Sequence, residues 1–203
     1  MESNLLNEKL AWLGNYIFDN RHIELVFEQD KAEHGLPIRF HLNDLSEEAY
    51  NVIADSISTK LAEARYDLIV GIPENGSLIT RFISHKFNIP VICLQSCLLE
   101  DADSKFIYEG LTGRGEKVVV IDDLILRPKV ALKACKELEN AGFKVCGFAA
   151  LYHRSQADDN ALKYHGLPAY SVQGILELLE QYVKSGRISP AQRDFLTISL
   201  KEF

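Results

Sequence analysis

Val118-Val119-Val120-Ile121-Asp122-Asp123, continuing as Leu124-Ile125-Leu126-Arg127-Pro128-Lys129-Val130-Ala131-Leu132, is the stretch on which the fold turns. Consecutive β-branched residues are stiff at χ1 and pack well on a pleated surface, so the run predicts a buried strand. Two adjacent carboxylates close it. A helix over about 128–140 follows, with Ala131, Leu132, Cys135 and Leu138 on one face. The same strand-then-helix order recurs upstream, where Leu68-Ile69-Val70-Gly71-Ile72 precedes a helix over about 76–87 and Val91-Ile92-Cys93-Leu94 follows it. Downstream come a strand over Lys144–Tyr152, a short helix at about 158–165 and a last strand near Ala169–Val172. Continuous apolar strands alternating with helices predict an α/β fold with a mainly parallel sheet covered on both faces.

The flanks read differently. Leu6, Leu10, Leu13 and Ile17 have helical spacing and predict a helix over about 3–18. The extended runs His22–Phe27 and Pro37–Leu42 enclose the polar turn Asp30–Gly35, which predicts an antiparallel hairpin. Asp44 or Ser46 can cap the next helix, whose first turn carries Glu47 and Glu48 and whose apolar face is Ala49, Val52, Ile53, Ile57 and Leu61. The tail predicts two helices, one with Ile175, Leu176, Leu179 and Val183 on a face, the other started by Ser189-Pro190. Residues 95–106 are polar and acidic without a period, and are expected to form a mobile loop. No Pro/Gly/Ser-rich linker interrupts the chain. One domain over 1–203 is therefore expected: about 1–45 a helix and hairpin hood, about 46–172 the α/β core, about 173–203 the C-terminal helices, with both termini covering one edge.

Composition excludes several classes. With 203 residues, 47 % apolar and 25 % charged, the chain is neither disordered, collagen-like nor a disulfide-dense miniprotein. Lys and Arg total 22 against 29 Asp and Glu, and a net charge of −7 argues against nucleic acid or an anionic membrane as partner. No run approaches the roughly 18 apolar residues of a membrane helix, and Met1-Glu2-Ser3-Asn4 predicts no signal peptide. Cys93, Cys97, Cys135 and Cys146 form no CxxC pair, so free reduced thiols in a cytoplasmic protein are expected. His153-Arg154 reads as a solvated strand-end pair and Trp12 as a core or interface residue. No Gly-x-Ser-x-Gly elbow is present.

Ligands of open parallel sheets bind beyond the carboxyl ends of the strands. Two such ends are chemically distinctive. Gly71-Ile72-Pro73-Glu74-Asn75-Gly76 forms a tight turn opening into a helix, where backbone N–H groups make an anion site. Asp122-Asp123 suits ribose hydroxyls or a hydrated Mg²⁺, or else serves as a helix-capping pair.

The ordered set resembles the type I phosphoribosyltransferases, and among them the orotate phosphoribosyltransferases. Tyr66–Gly76 resembles the family's pyrophosphate turn and Ile107-Tyr108-Glu109-Gly110 its Glu-Gly segment. Val118–Asp123 resembles its signature strand, and Ala141-Gly142-Phe143-Lys144-Val145 the entry to the next strand. The resemblance spans about residues 10–180. It implies a parallel sheet flanked by helices under a small hood, a homodimer, and transfer of a phosphoribosyl group from phosphoribosyl pyrophosphate to orotate or a related base. Mg²⁺ would arrive with the ligand, so Asp122 and Asp123 would meet the metal only indirectly. On this resemblance Asp122 and Asp123 hold ribose, while Gly71, Glu74, Asn75 and Gly76 form the pyrophosphate turn.

The departures all oppose that substrate. The family's Thr/Gly-rich phosphate loop is here Leu126-Arg127-Pro128-Lys129-Val130, in which Pro128 lacks an N–H and Val130 resists positive φ. Arg127 and Lys129 remain as side-chain candidates for an anion. The family's basic mobile loop is here Gln95–Lys105, with Glu100, Asp101 and Asp103 against Lys105 alone. Glu74 adds a negative charge to the pyrophosphate turn, and Leu25–Asp30 replaces basic and serine contacts in the hairpin. The expectation is a degenerate family member that retains nucleotide or nucleoside binding and needs no cofactor. An active, Mg²⁺-dependent transferase in pyrimidine synthesis and a structural dimer with a vestigial cleft are the alternatives.

Overall fold

The β-branched runs pair into one sheet. The computed structural model describes residues 2–27, 36–97, 105–107, 113–125, 128–155, 162–163 and 165–201. In chain order the elements are α1 (Glu2–Asp19), β1 (Ile23–Leu25), β2 (Ile38–Phe40), α2 (Glu47–Lys60), β3 (Leu68–Gly71), α3 (Asn75–Phe87), β4 (Val91–Cys93) and β5 (Gln95–Cys97). There follow β6 (Lys105–Ile107), β7 (Lys117–Ile125), α4 (Pro128–Asn140), β8 (Lys144–His153), β9 (Ala169–Gly174), α5 (Ile175–Lys184) and α6 (Pro190–Lys201). The central sheet has five parallel strands in the order β4-β3-β7-β8-β9, with Val70 opposite Val120 and Val120 opposite Phe148.

Alternation along each strand divides the core in two. Ile69, Val119, Ile121 and Ala149 face a core built with α1, α2, α3, α5 and α6. Val70, Val118, Val120 and Phe148 face the opposite core, closed by α4. Both faces are covered, which is why these strands read as unbroken apolar runs. Each fully buried aliphatic side chain contributes roughly 1.5–3 kcal/mol.

Local signals settle the flanking elements. Ser46, not Asp44, caps α2: its Oγ accepts from Ala49 N at 3.2 Å, while Asp44 takes a left-handed φ of 60°. Glu47 and Glu48 at the start of α2 and Lys60 at its end match the helix dipole. The tail closes on the N-terminal helix. Tyr182 Oη donates to Gly14 O at 3.0 Å, Gln181 Nε2 to Ala11 O at 2.6 Å, and Arg187 pairs with Asp19. β1 and β2 form the expected antiparallel hairpin, with Ile23 opposite Phe40; its turn lies outside the described residues.

Two details depart from the sequence reading. β7 does not end at the acidic pair but runs on to Ile125, with Leu124 opposite Tyr152 and Ile125 opposite His153. Leu124 and Ile125 are themselves good strand residues, and β8 is long enough to supply their backbone partners. The ends of the 95–106 segment are not aperiodic: β5 and β6 pair antiparallel, Gln95 opposite Ile107. Residues 98–104, on which the expected mobile loop and its three acidic residues fall, lie outside the described residues. Of the expected helix at 158–165, residues 162 and 163 are helical, and 156–161 and 164 lie outside as well. Cys93, Cys135 and Cys146 are free thiols. No described helix is long and apolar enough to cross a membrane.

Candidate functional site

β3 and β7 are neighbours at the middle of the sheet, and the chain leaves β3 directly into α3. Gly71 and Gly76 make that possible by close approach, not by left-handed backbone. A Cβ on Gly76 would lie 2.4 Å from Ile121 O, and one on Gly71 would lie 2.4 Å from Thr80 Oγ1 and 2.6 Å from Gly76 O. The first turn of α3 therefore sits against the backbone of β7, and Ile72 N donates to Ile121 O at 2.9 Å. The Pro73–Glu74 peptide bond is cis.

Asn75, at the start of α3, ties three elements together. Its Nδ2 donates to Phe40 O at 2.8 Å and to Asp123 Oδ2 at 3.1 Å, while its Oδ1 accepts from Leu42 N at 3.2 Å. The hood strand β2 is thereby fastened over the acidic pair. Phe40 in turn stacks on Tyr152, with ring centroids 4.8 Å apart. The Tyr152 hydroxyl is buried without a hydrogen-bond partner among the described residues, and burial pushes its pKa up, with the Asp123 charge adding to the effect.

The two carboxyls have unequal environments. Asp122 is held well above the usual carboxylate range, first by burial and then by the Asp123 charge. Asp123 is also raised by burial, but hydrogen bonds from Asp122 and Asn75 work against the rise. Burial thus disfavours ionisation of both carboxyls, more strongly at Asp122 than at Asp123. Asp122 Oδ1 also accepts from Asp123 N at 2.9 Å.

Hood, α3 and β7 enclose a cleft of about 530 Å³. Glu74, Asn75, Asp122 and Asp123 line one side of it. Phe148, Ile125, Val130 and Ala131 line the side toward α4. The hood contributes Arg39 and His41, and both reach Glu24: Arg39 Nη1 lies 3.8 Å and His41 Nε2 3.5 Å from Glu24 Oε2. The cleft thus brings together Glu74, Asn75, Asp122 and Asp123 from the sequence reading, while Gly71 and Gly76 support it from beneath the helix. Lys129 stands elsewhere: it lines a separate cavity on the other flank of α4. Successive helical residues turn by about 100°, so Val130 and Ala131 face the cleft and Lys129 does not. Arg127 lies outside the described residues.

Sequence reasoning missed Arg39, His41 and the Phe40–Tyr152 stack. Arg39 and His41 flank Phe40 two residues apart, a period-two signal that marks one strand face. The stack pairs residues more than a hundred positions apart and has no local signature. Among the described residues no three His, Cys, Asp or Glu groups converge as a metal centre. Asp122 and Asp123 without a third protein ligand are a poor fit to a resident Mg²⁺, which keeps most of its waters and prefers substrate phosphates.

No protein-family model matches the chain. It is 30 % identical over 146 residues to the orotate phosphoribosyltransferase of Staphylococcus haemolyticus, covering 70 % of this chain and 71 % of that protein. Among solved structures, it superposes on Leishmania donovani UMP synthase with a TM-score of 0.76 and 24 % identity, covering 95 % of this chain and 42 % of that longer one. It also superposes on Mycobacterium tuberculosis orotate phosphoribosyltransferase, solved in complex with 5-phospho-α-D-ribosyl 1-diphosphate, with a TM-score of 0.60, 20 % identity and 84 % of this chain covered. The fold and the sequence similarity together place the chain in the orotate phosphoribosyltransferase family.

Proposed function

We propose that the chain is a catalytically degenerate orotate phosphoribosyltransferase homologue that binds a ribose-bearing ligand, a nucleoside or nucleotide, in the cleft between hood and sheet. The observation that carries the reading is the wall beside α4. Ile125, Val130, Ala131 and Phe148 stand there, and the helix opens with Pro128, which has no N–H. Phosphate recognition at a helix N-terminus relies on convergent N–H and hydroxyl donors. Apolar side chains supply neither.

The opposite side of the cleft keeps ribose chemistry. Asp123 accepts from one hydroxyl of a vicinal diol and Asp122 accepts from the other, donating instead when it is protonated. Glu74 sets a carboxylate in the turn that would meet pyrophosphate, where each close like-charge pair costs about 1–4 kcal/mol depending on the local dielectric. The retained acidic pair and the activity named for the relatives favour a second reading, an active transferase. There Asp122 and Asp123 hold the ribose hydroxyls, the turn 71–76 holds pyrophosphate, and Mg²⁺ enters bound to the substrate. Either reading has the chain as a cytoplasmic homodimer, for which light scattering should give twice the monomer mass.

Calorimetric titration with uridine and with uridine monophosphate tests the proposal. Uridine should bind, the 5′-phosphate should add little, and Asp123→Asn should weaken both by about tenfold, roughly 1.4 kcal/mol. Uridine monophosphate binding a hundredfold more tightly than uridine would contradict the loss of phosphate recognition. No binding of either would leave the structural dimer as the better account.

A further inference from the structure

A second cavity lies outside the cleft. It measures about 680 Å³ and runs along the far flank of α4, within the usual range for a small-molecule site. Its floor is apolar: Leu132, the buried Leu167 and the buried Cys135, whose thiol burial pushes up to about 12 and so keeps protonated. Its rim is basic. Lys129, Lys133 and Lys136 recur at i, i+4 and i+7 on one helix face, and His165 stands across from them; Glu139 is the one carboxylate among its described lining residues.

This concentration stands out in a chain of net charge −7. It also runs against the helix. α4 has no acidic residue in its first turn and no basic residue in its last, while Lys129 sits at the start and Glu137 and Glu139 near the end. Positive charge at a helix N-terminus opposes the macrodipole, and like charges four apart repel. α2, by contrast, carries its charges in the favourable order. A bound anion offsets the penalty at the start of α4, and the apolar floor gives it something besides charge to rest on.

We propose that this groove binds an organic phosphate of nucleotide size, its anionic group on Lys129, Lys133 and Lys136 and its flat or apolar body on Leu132 and Leu167. The site is separate from the cleft and does not depend on what the cleft binds. The two share α4 as a wall, since Val130 and Ala131 line one cavity and Lys129 the other.

Amide shifts of the ¹⁵N-labelled protein on titration with ADP, adenosine and inorganic phosphate test it. With ADP, shifts should cluster at 129–139 and 165–167 and saturate below about 1 mM, and adenosine or phosphate alone should bind at least tenfold more weakly. Lys133→Gln/Lys136→Gln should weaken ADP about tenfold, and Asp123→Asn should leave it unchanged at this site. Lys129→Glu supplies a readout independent of binding: it should raise the melting temperature while lowering ADP affinity, because it corrects the charge order of α4. The proposal is overturned by shifts confined to the cleft, by adenosine shifting the groove amides at as low a concentration as ADP, by no saturation at the groove up to about 10 mM, or by unchanged groove affinity in the double variant.

Discussion

Two strand-to-helix turns meet at the cleft, β3 into α3 and β7 into α4, and they are built on opposite principles. In the first, Gly71 and Gly76 let the helix sit against the neighbouring strand, and Asn75 then bonds outward to the hood and the acidic pair. In the second, the strand runs past its acidic pair to Ile125, and the helix opens at Pro128 with Val130 43 % exposed. The difference separates architecture from recognition. The first turn is held by close packing, whereas the helix entered by the second opens with Pro128, which has no N–H, and the β-branched Val130.

The contrast breaks most sharply under substitutions of similar size. Gly76→Ala puts a Cβ against Ile121 O, a backbone atom that cannot rotate away, and should cost on the order of 4 kcal/mol in urea unfolding. Val130→Ala at the other turn should stay within about 0.5 kcal/mol. Comparable losses at both sites would erase the distinction. Asn75→Leu should come next, at about 3 kcal/mol, since it strands Leu42 N–H, Phe40 C=O and the Asp123 carboxylate together.

How much of this is legible in the sequence follows from range. The sheet and its two faces are written in Val118–Ile121, Leu68–Val70 and Lys144–Tyr152, because alternation and β-branching are local. The acidic pair is equally visible. The bond from Asn75 to Phe40 joins residues 35 positions apart, and nothing near either one announces it. Lys129 reads as a cleft residue until the phase of α4 is known, because one step along a helix swings a side chain by about 100°. The extension of β7 depends on the length of β8, which no feature of β7 encodes.

The second turn can be sharpened by restoration. Replacing residues 126–130 with Thr-Thr-Gly-Gly-Ser supplies N–H and hydroxyl donors at the N-terminus of α4. Affinity for inorganic phosphate should rise about tenfold, roughly 1.4 kcal/mol, without turnover of orotate, because on the proposed reading the Glu74 carboxylate would still oppose pyrophosphate. An unchanged phosphate affinity would mean that the loop sequence is not what limits binding.

A smaller effect comes from the acidic pair. Asp122 titrates above its ordinary 3.8 in the folded protein, so between that value and its raised one the folded state holds the extra proton. Stability therefore falls as pH rises through that window and levels off above it. Asp122→Asn removes this slope and should be more stable than the parent by about 1 kcal/mol at pH 8, with no advantage at pH 3.5. A variant that gains equally at both pH values would point to packing instead of ionisation.

The central claim, that phosphoribosyl recognition has been lost on the α4 side of the cleft, is tested most directly by calorimetric titration of the unmodified protein with phosphoribosyl pyrophosphate and Mg²⁺, followed by addition of orotate. The account predicts a dissociation constant no tighter than about 1 mM and no release of pyrophosphate. Micromolar binding with turnover at ordinary enzyme rates, on the order of 1–1,000 s⁻¹, would contradict it.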